Sequence, residues 1–411
     1  MFIKMKKILY LSLGLALFVY GCKEDQPPVP EETGGFKAVD MGLSVLWANM
    51  DLGAEEVGEY GSYYAWAEVE ANRENYDQNY YRWGNYSTLS KYLPLSYNGR
   101  KDDKAFLDED DDAAHVELGG EWRIPTLDEA SELFETQGNE NYRWETVEVN
   151  GHSCRKITYL VNGNSILLPF SGYKFRGQAQ TVGTRHYSWT SNCVAQSSSM
   201  HMAYIIDAIL TFKAGDETEG ISSKERWYGC TIRPVKAPRR IPVCSMSLTI
   251  HDKAVAEDTK FTPTVTIWPE NADNKTLKWK SDNPEVASVN ENGEIAAHKS
   301  GYTSIRCSHG ALKDELKIEV APFGYGIYVK NEREWENTYL KARLSGQSSY
   351  FTGESGQEPK DETSDGYLYF ELDDTMMDQE FYYQFIDRLG NSSAEVRKPN
   401  YSKRVIYTTL N

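Results

Sequence analysis

The side chains best suited to chemistry in this sequence are aromatic, and the chemistry they offer is stacking. Eleven tyrosines and tryptophans fall between Tyr60 and Tyr97. Their spacing is neither helical nor strictly alternating, so some of them must sit on exposed loops. Flat rings stack on the C–H faces of sugars, and a phenol or indole edge adds a hydrogen bond. Tyr80, Tyr81, Trp83 and Tyr86 are therefore candidate ligand-binding residues. Towards the other end of the chain, Trp335 stands between Glu334 and Glu336, which favours exposure, and Tyr339 follows it. Both join the candidates, with a strand-edge core position as the alternative for Trp335.

Bond-making chemistry finds less support. The seven histidines, at 115, 152, 186, 201, 251, 298 and 309, are scattered, and no H-E-x-x-H zinc motif occurs. There is no G-x-S-x-G nucleophile elbow and no P-loop. The acidic run Asp108-Glu109-Asp110-Asp111-Asp112 follows Asp102 and Asp103. Its hard oxygens suit calcium, with Asp108, Asp110 and Asp112 as the candidate ligands. It lacks the glycine and the closing glutamate of an EF-hand, however, and carboxylates ahead of a helix also meet its N-terminal dipole favourably. The helix-start reading is taken, and no cofactor is expected. Cys22 aside, five cysteines remain, at 154, 193, 230, 244 and 307. An odd number leaves at least one thiol unpaired, and the absence of C-x-x-C argues against a zinc knuckle. Cys244 and Cys307 are the candidate disulfide; buried small hydrophobes are the alternative.

The elements that must position these residues come from a chain of 411 residues, enough for about two to four domains. It has 44 basic and 61 acidic residues, a net charge of −17, which argues against nucleic acid or an anionic membrane face as partner. An apolar share of 40% can build cores. At the N-terminus, Lys4, Lys6 and Lys7 precede 13 uncharged residues, Ile8 to Tyr20. That is too short for a comfortable membrane span and has the length of a signal-peptide core. Pro27 to Pro30 and Gly34-Gly35 read as a tether. Breaks at Lys236-Ala237-Pro238-Arg239-Arg240 and Ala321-Pro322-Phe323-Gly324 mark three further segments.

Several motifs carry resemblances. Val19-Tyr20-Gly21-Cys22 resembles a bacterial lipobox, which implies a signal peptide over 1–21, lipidation at Cys22 and a tether over 22–35. Lys23-Glu24-Asp25 is similar to the export tag of Bacteroidota surface lipoproteins, implying anchorage in the outer membrane and facing the exterior. In segment 36–236, the series Val39 to Ala48, Gly58 to Glu68, Gly119-Gly120-Glu121-Trp122-Arg123-Ile124-Pro125-Thr126 and Trp227 to Pro234 resembles the Fibrobacter major-paralogous domain. That implies an α+β C-type-lectin-like fold related to the formylglycine-generating enzyme. It also makes Tyr64 and Trp66, inside a family motif, core residues. Within it Thr126 with Glu129 spells a capping box, and Leu127, Ala130, Leu133 and Phe134 mark a helix face. In segment 241–321, Val243 to Ile250, Thr264 to Pro269, Leu277 to Ser281, Asn292-Gly293 and Gly301 to Ile305 resemble a bacterial immunoglobulin-like group 2 domain. A seven-strand all-β sandwich with Trp279 in its core is expected. Segment 324–411, with Trp335 and strands Gly366 to Leu372 and Glu380 to Asp387, is similar to small β-sandwich starch-binding modules.

The expectation is a multidomain, non-catalytic surface protein. Its end domains bind an extracellular polysaccharide or host surface ligand, with the middle domain as spacer. The alternatives are a structural or fimbria-accessory protein with protein partners, and an oxidase using Cys193 and Cys230.

Overall fold

The carboxylates of the acidic run start a helix. Asp112 caps α1 (Ala113–Leu118), its side chain accepting from the His115 amide. Thr126 and Glu129 close the reciprocal cap their spacing predicts, and α2 (Leu127–Phe134) follows. The Glu129 carboxylate also receives both terminal nitrogens of Arg123, at 2.8 and 2.6 Å. That buried pair has every charge matched, the condition under which an ion pair can leave water without a large penalty.

A computed structural model describes residues 35–209, 220–250, 254–333, 335–364, 366–373, 376, 379–398 and 405–410. The expected leader, Cys22 and all of the tether but Gly35 lie outside these residues. Among them the chain is mostly β, and α1 and α2 are short.

In the N-terminal segment, a four-stranded antiparallel sheet runs in the order Ala38–Val39, Leu46–Ala48, Val235–Lys236, Trp122–Arg123. Trp47 is thus opposite both Val39 and Val235, so the two ends of the segment close on each other. A second sheet orders Gly220–Glu225, Met202–Ile209 and Arg185–Cys193; a third orders Tyr142–Val149, His152–Tyr159 and Ser165–Pro169. Trp47, Trp66 and Trp189 are all fully buried between them. Trp66 donates to the Thr190 carbonyl and Trp189 to the Tyr64 carbonyl, each at 2.8 Å. The expected strand Trp227 to Pro234 is instead a run of single bridges, Gly229 to Lys174, Cys230 to Tyr64 and Thr231 to Ser188. It threads between neighbours rather than along one of them. Its Arg233, fully buried, is held by Asp51 at 2.8 Å.

Among the described residues the middle segment forms nine strands in three sheets rather than the expected seven-strand sandwich. Four of them order as Ala254–Ala256, Leu312–Ala321, Gly301–His309 and Lys278–Ser281, the first pair parallel. Trp279 is half-buried at the rim of this core and lies against the Asn292-Gly293 turn. Gly293 has φ +82°, and a Cβ there would meet the indole at 2.7 Å. In the last segment two sheets face each other. One orders Asp361–Glu362, Tyr367–Glu371, Gly326–Asn331 and Val405–Leu410; the other orders Tyr339–Leu344, Phe381–Ile386 and Val396–Lys398. Phe381, Tyr383 and Phe385 point inward in alternation, as a strand with one buried face requires.

The segments share cores across their seams. Cys244 belongs to the core of the N-terminal segment, and Trp268 packs against it. Ala254 and Ala321 belong to the core of the last segment. Tyr328, fully buried, receives the Phe323 amide and donates to the Gly324 carbonyl, fixing the second junction. At the first junction Lys278 reaches Glu135 at 2.5 Å and Ser131 accepts from the Ala311 amide. Beside them His309 is buried, with Nδ1 2.8 Å from the Thr276 carbonyl and Nε2 2.9 Å from Asp128 Oδ2. The second contact sets the Asp128 carboxylate against the ring, favouring its charged form.

Two expectations follow. Burial alone would lower the His309 pKa, but Asp128 and the Thr276 carbonyl outweigh it and raise the value. A raised folded pKa means stabilisation that is complete below the unfolded value of about 6.5 and is lost as pH rises through the folded value. His309→Ala should therefore cost about 1–2 kcal/mol in mildly acid solution and much less in alkali, read by urea unfolding of the whole chain. Equal losses at both extremes would contradict a charged pair. Gly293→Ala combines a positive φ with a clash and should cost about 1–3 kcal/mol; an unchanged urea midpoint would show that Trp279 does not rest on this turn.

Candidate functional site

 Trp335 and Tyr339 line one open cleft of about 660 Å³ in the last sandwich. Trp335 follows the strand Gly326–Asn331 and Tyr339 opens the strand Tyr339–Leu344, so the segment joining the two sheets carries both. Asn331 fixes that segment: its side chain accepts from the Trp335 amide at 3.2 Å and donates to the Trp335 carbonyl at 2.9 Å. The Trp335 ring is half-buried against the core, with the Arg333 guanidinium 5.7 Å from its centroid. It is therefore neither wholly exposed nor a core residue. Glu334 lies outside the described residues.

The Tyr339 hydroxyl accepts from Arg388 Nε at 2.8 Å. Gly356, at φ +80°, lies so close behind Tyr339 that a Cβ there would come within 2.9 Å of the tyrosine Cβ. Thr338, between the two aromatics, is buried at 3% exposure, and its hydroxyl has no hydrogen-bond partner. Glu358, Glu362 and Arg388 complete the wall from distant parts of the chain. Nothing in the sequence marked these four residues, because no periodicity or motif links them to Trp335.

The aromatic candidates of the N-terminal segment separate. Tyr80 and Tyr86 are exposed, at 57% and 44%. Tyr86 packs edge-on against His201 and Trp227, with centroids 4.6 and 4.7 Å away. Tyr81, expected at a binding surface, is instead buried, because its hydroxyl donates to the Trp66 carbonyl at 2.9 Å. Trp83 is half-buried, donates to the Ala67 carbonyl and has Arg82 and Lys91 over its ring. Tyr64 and Trp66 are core.

The acidic run is committed elsewhere. Asp108 takes Lys91 and Lys104, which outweigh burial and lower its pKa. Asp112 caps α1 and accepts from the Ile124 amide, while Asp110 is exposed. The candidate calcium ligands thus point to different partners, and among the described residues no group of three or more His, Cys, Asp or Glu could hold a metal.

The strands of the middle segment match a family, Bacterial Ig-like domain (group 2), over residues 242–320. That segment is an Ig-like domain. No curated protein matches the chain. Among solved structures, the S-layer protein SbsC, domains 5-6, aligns at 17% identity and TM-score 0.18, covering 37% of this chain and 66% of that one. A Bacteroides ovatus mixed-linkage glucan utilization locus protein, SGBP-B, in complex with a heptasaccharide, aligns at 13% and 0.12, covering 39% and 44%. The chain also spans 36% of the structure of SbsC domains 4-9. Scores this low carry no argument about function.

In the Ig-like domain Cys307 sits in the domain's own core, whereas Cys244 sits in the neighbouring one, accepting from Asn192 at 3.6 Å. The expected bridge between them is absent, and all five described thiols are free and buried. Burial raises the Cys154, Cys193 and Cys307 pKa values to about 11 and those of Cys230 and Cys244 further. Thiols held protonated are poor nucleophiles and poor metal ligands, which removes support from the oxidase reading. A thiol-reactive dye added to a fragment starting after Cys22 should find none of the five in the native state and all five after denaturation without reductant. A denatured count of three would reveal a disulfide.

Proposed function

We propose that the chain is a non-catalytic, lipid-anchored protein of the outer membrane surface that binds an extracellular glycan, with its Ig-like domain as spacer. The observation that carries this reading is the convergence of Trp335 and Tyr339 on one cleft walled by amide, hydroxyl and charged groups. Sugar recognition needs that combination, because a pyranose offers an apolar face and a polar rim. The N-terminal segment, as a C-type-lectin-like domain, would contribute Tyr80 and Tyr86 as a second contact. Anchorage rests on the lipobox-like Val19 to Cys22; among the described residues no helix is long and apolar enough to cross a membrane.

Affinity electrophoresis through gels containing individual polysaccharides tests the reading. At least one should retard the chain, and Trp335→Ala should weaken that retardation roughly ten-fold, the worth of one aromatic stack. Full retardation of Trp335→Ala would move the site elsewhere.

A further inference from the structure

We infer that the cleft selects glycans by charge and takes one bearing free amines. The inference rests on reading the cleft as a glycan site. Glu332, Glu336, Glu358 and Glu362 line it against Lys330 and Arg388, and with Arg333 5.7 Å from the Trp335 ring the local excess is one negative charge. The two signs are not equally available. Arg388 is held on the Tyr339 hydroxyl, and the Lys330 ammonium lies 5.5 Å over the Tyr367 ring. Arg388 also feels the Glu358 carboxylate, whereas Glu332, Glu336 and Glu362 carry no side-chain hydrogen bond or ion pair among the described residues.

Acidic side chains alone would be a solvated face. Here they surround two aromatic rings and the buried Thr338 hydroxyl, which has no partner of its own. An ammonium group gains twice in such a place, from carboxylates and from the faces of aromatic rings. A sulfate or uronate meets the same carboxylates as repulsion. The net charge of −17 over the chain acts in the same direction at longer range.

One backbone with three substituents tests this: a β-1,4-glucosamine hexamer with free amines, its N-acetylated form and its N-sulfated form, titrated into the full chain at mildly acid pH. The free-amine form should bind about ten-fold more tightly than the N-acetyl form at low salt, from two pairs at about two- to five-fold each. The N-sulfated form should not bind. The gap should shrink in about 0.5 M salt, where screening reaches only a few ångströms. Glu336→Gln with Glu358→Gln should close most of the gap while the circular dichroism spectrum stays unchanged. Equal or tighter binding of the N-sulfated form, or a gap unaffected by the double variant or by Trp335→Ala, overturns the inference. If none of the three binds but a neutral polysaccharide does so through Trp335, the glycan reading stands and this inference falls. If no polysaccharide binds, both fall.

Discussion

A phenol can leave water only when its hydroxyl keeps a partner, since an unmatched buried group costs about 1–3 kcal/mol. Residues 49–104 contain no regular strand or helix, yet Tyr63, Tyr64, Tyr76, Tyr81 and Tyr92 are all buried there. Their hydroxyls do the work that a backbone ladder does elsewhere. Tyr63 donates to the Ser171 carbonyl at 2.6 Å, Tyr76 to that of Tyr63 at 2.5 Å and Tyr92 to Asp111 at 2.5 Å. Burial raises the Tyr76 pKa to about 12, so the donors stay protonated. The last segment repeats the device, with Tyr369 donating to the Tyr325 carbonyl at 2.8 Å.

This constraint changes the meaning of the tyrosine surplus. Among the described residues many tyrosines build the fold, and few are exposed. Tyr81 shows why sequence could not tell the two uses apart: it adjoins exposed Tyr80, and only the Trp66 carbonyl, fifteen residues earlier, decides its direction. Local signals were legible where they were self-contained. The cap at Thr126 and Glu129 followed from spacing, the helix start after the acidic run from charge against a dipole, and the strand holding Phe381, Tyr383 and Phe385 from local pattern.

Non-local features were not legible. Cys244 was assigned to the segment it opens, but its side chain crosses the seam into the preceding core, so pairing it with Cys307 failed. In the cleft, Trp335 was readable because Glu334 and Glu336 flank it, and Tyr339 because it follows closely, whereas Arg388 and Thr338 matter through contacts that exist only after the two sheets meet. Shared cores at both seams also tie the cleft to the rest of the chain through packed side chains.

The most direct measurement is a crystal structure of the chain with a bound oligosaccharide retained in the gel assay. The account predicts a sugar ring in van der Waals contact with the Trp335 indole and a polar substituent within hydrogen-bond distance of Glu336 or Glu358. A sugar seated on Tyr80 and Tyr86, with the terminal cleft empty, would contradict it.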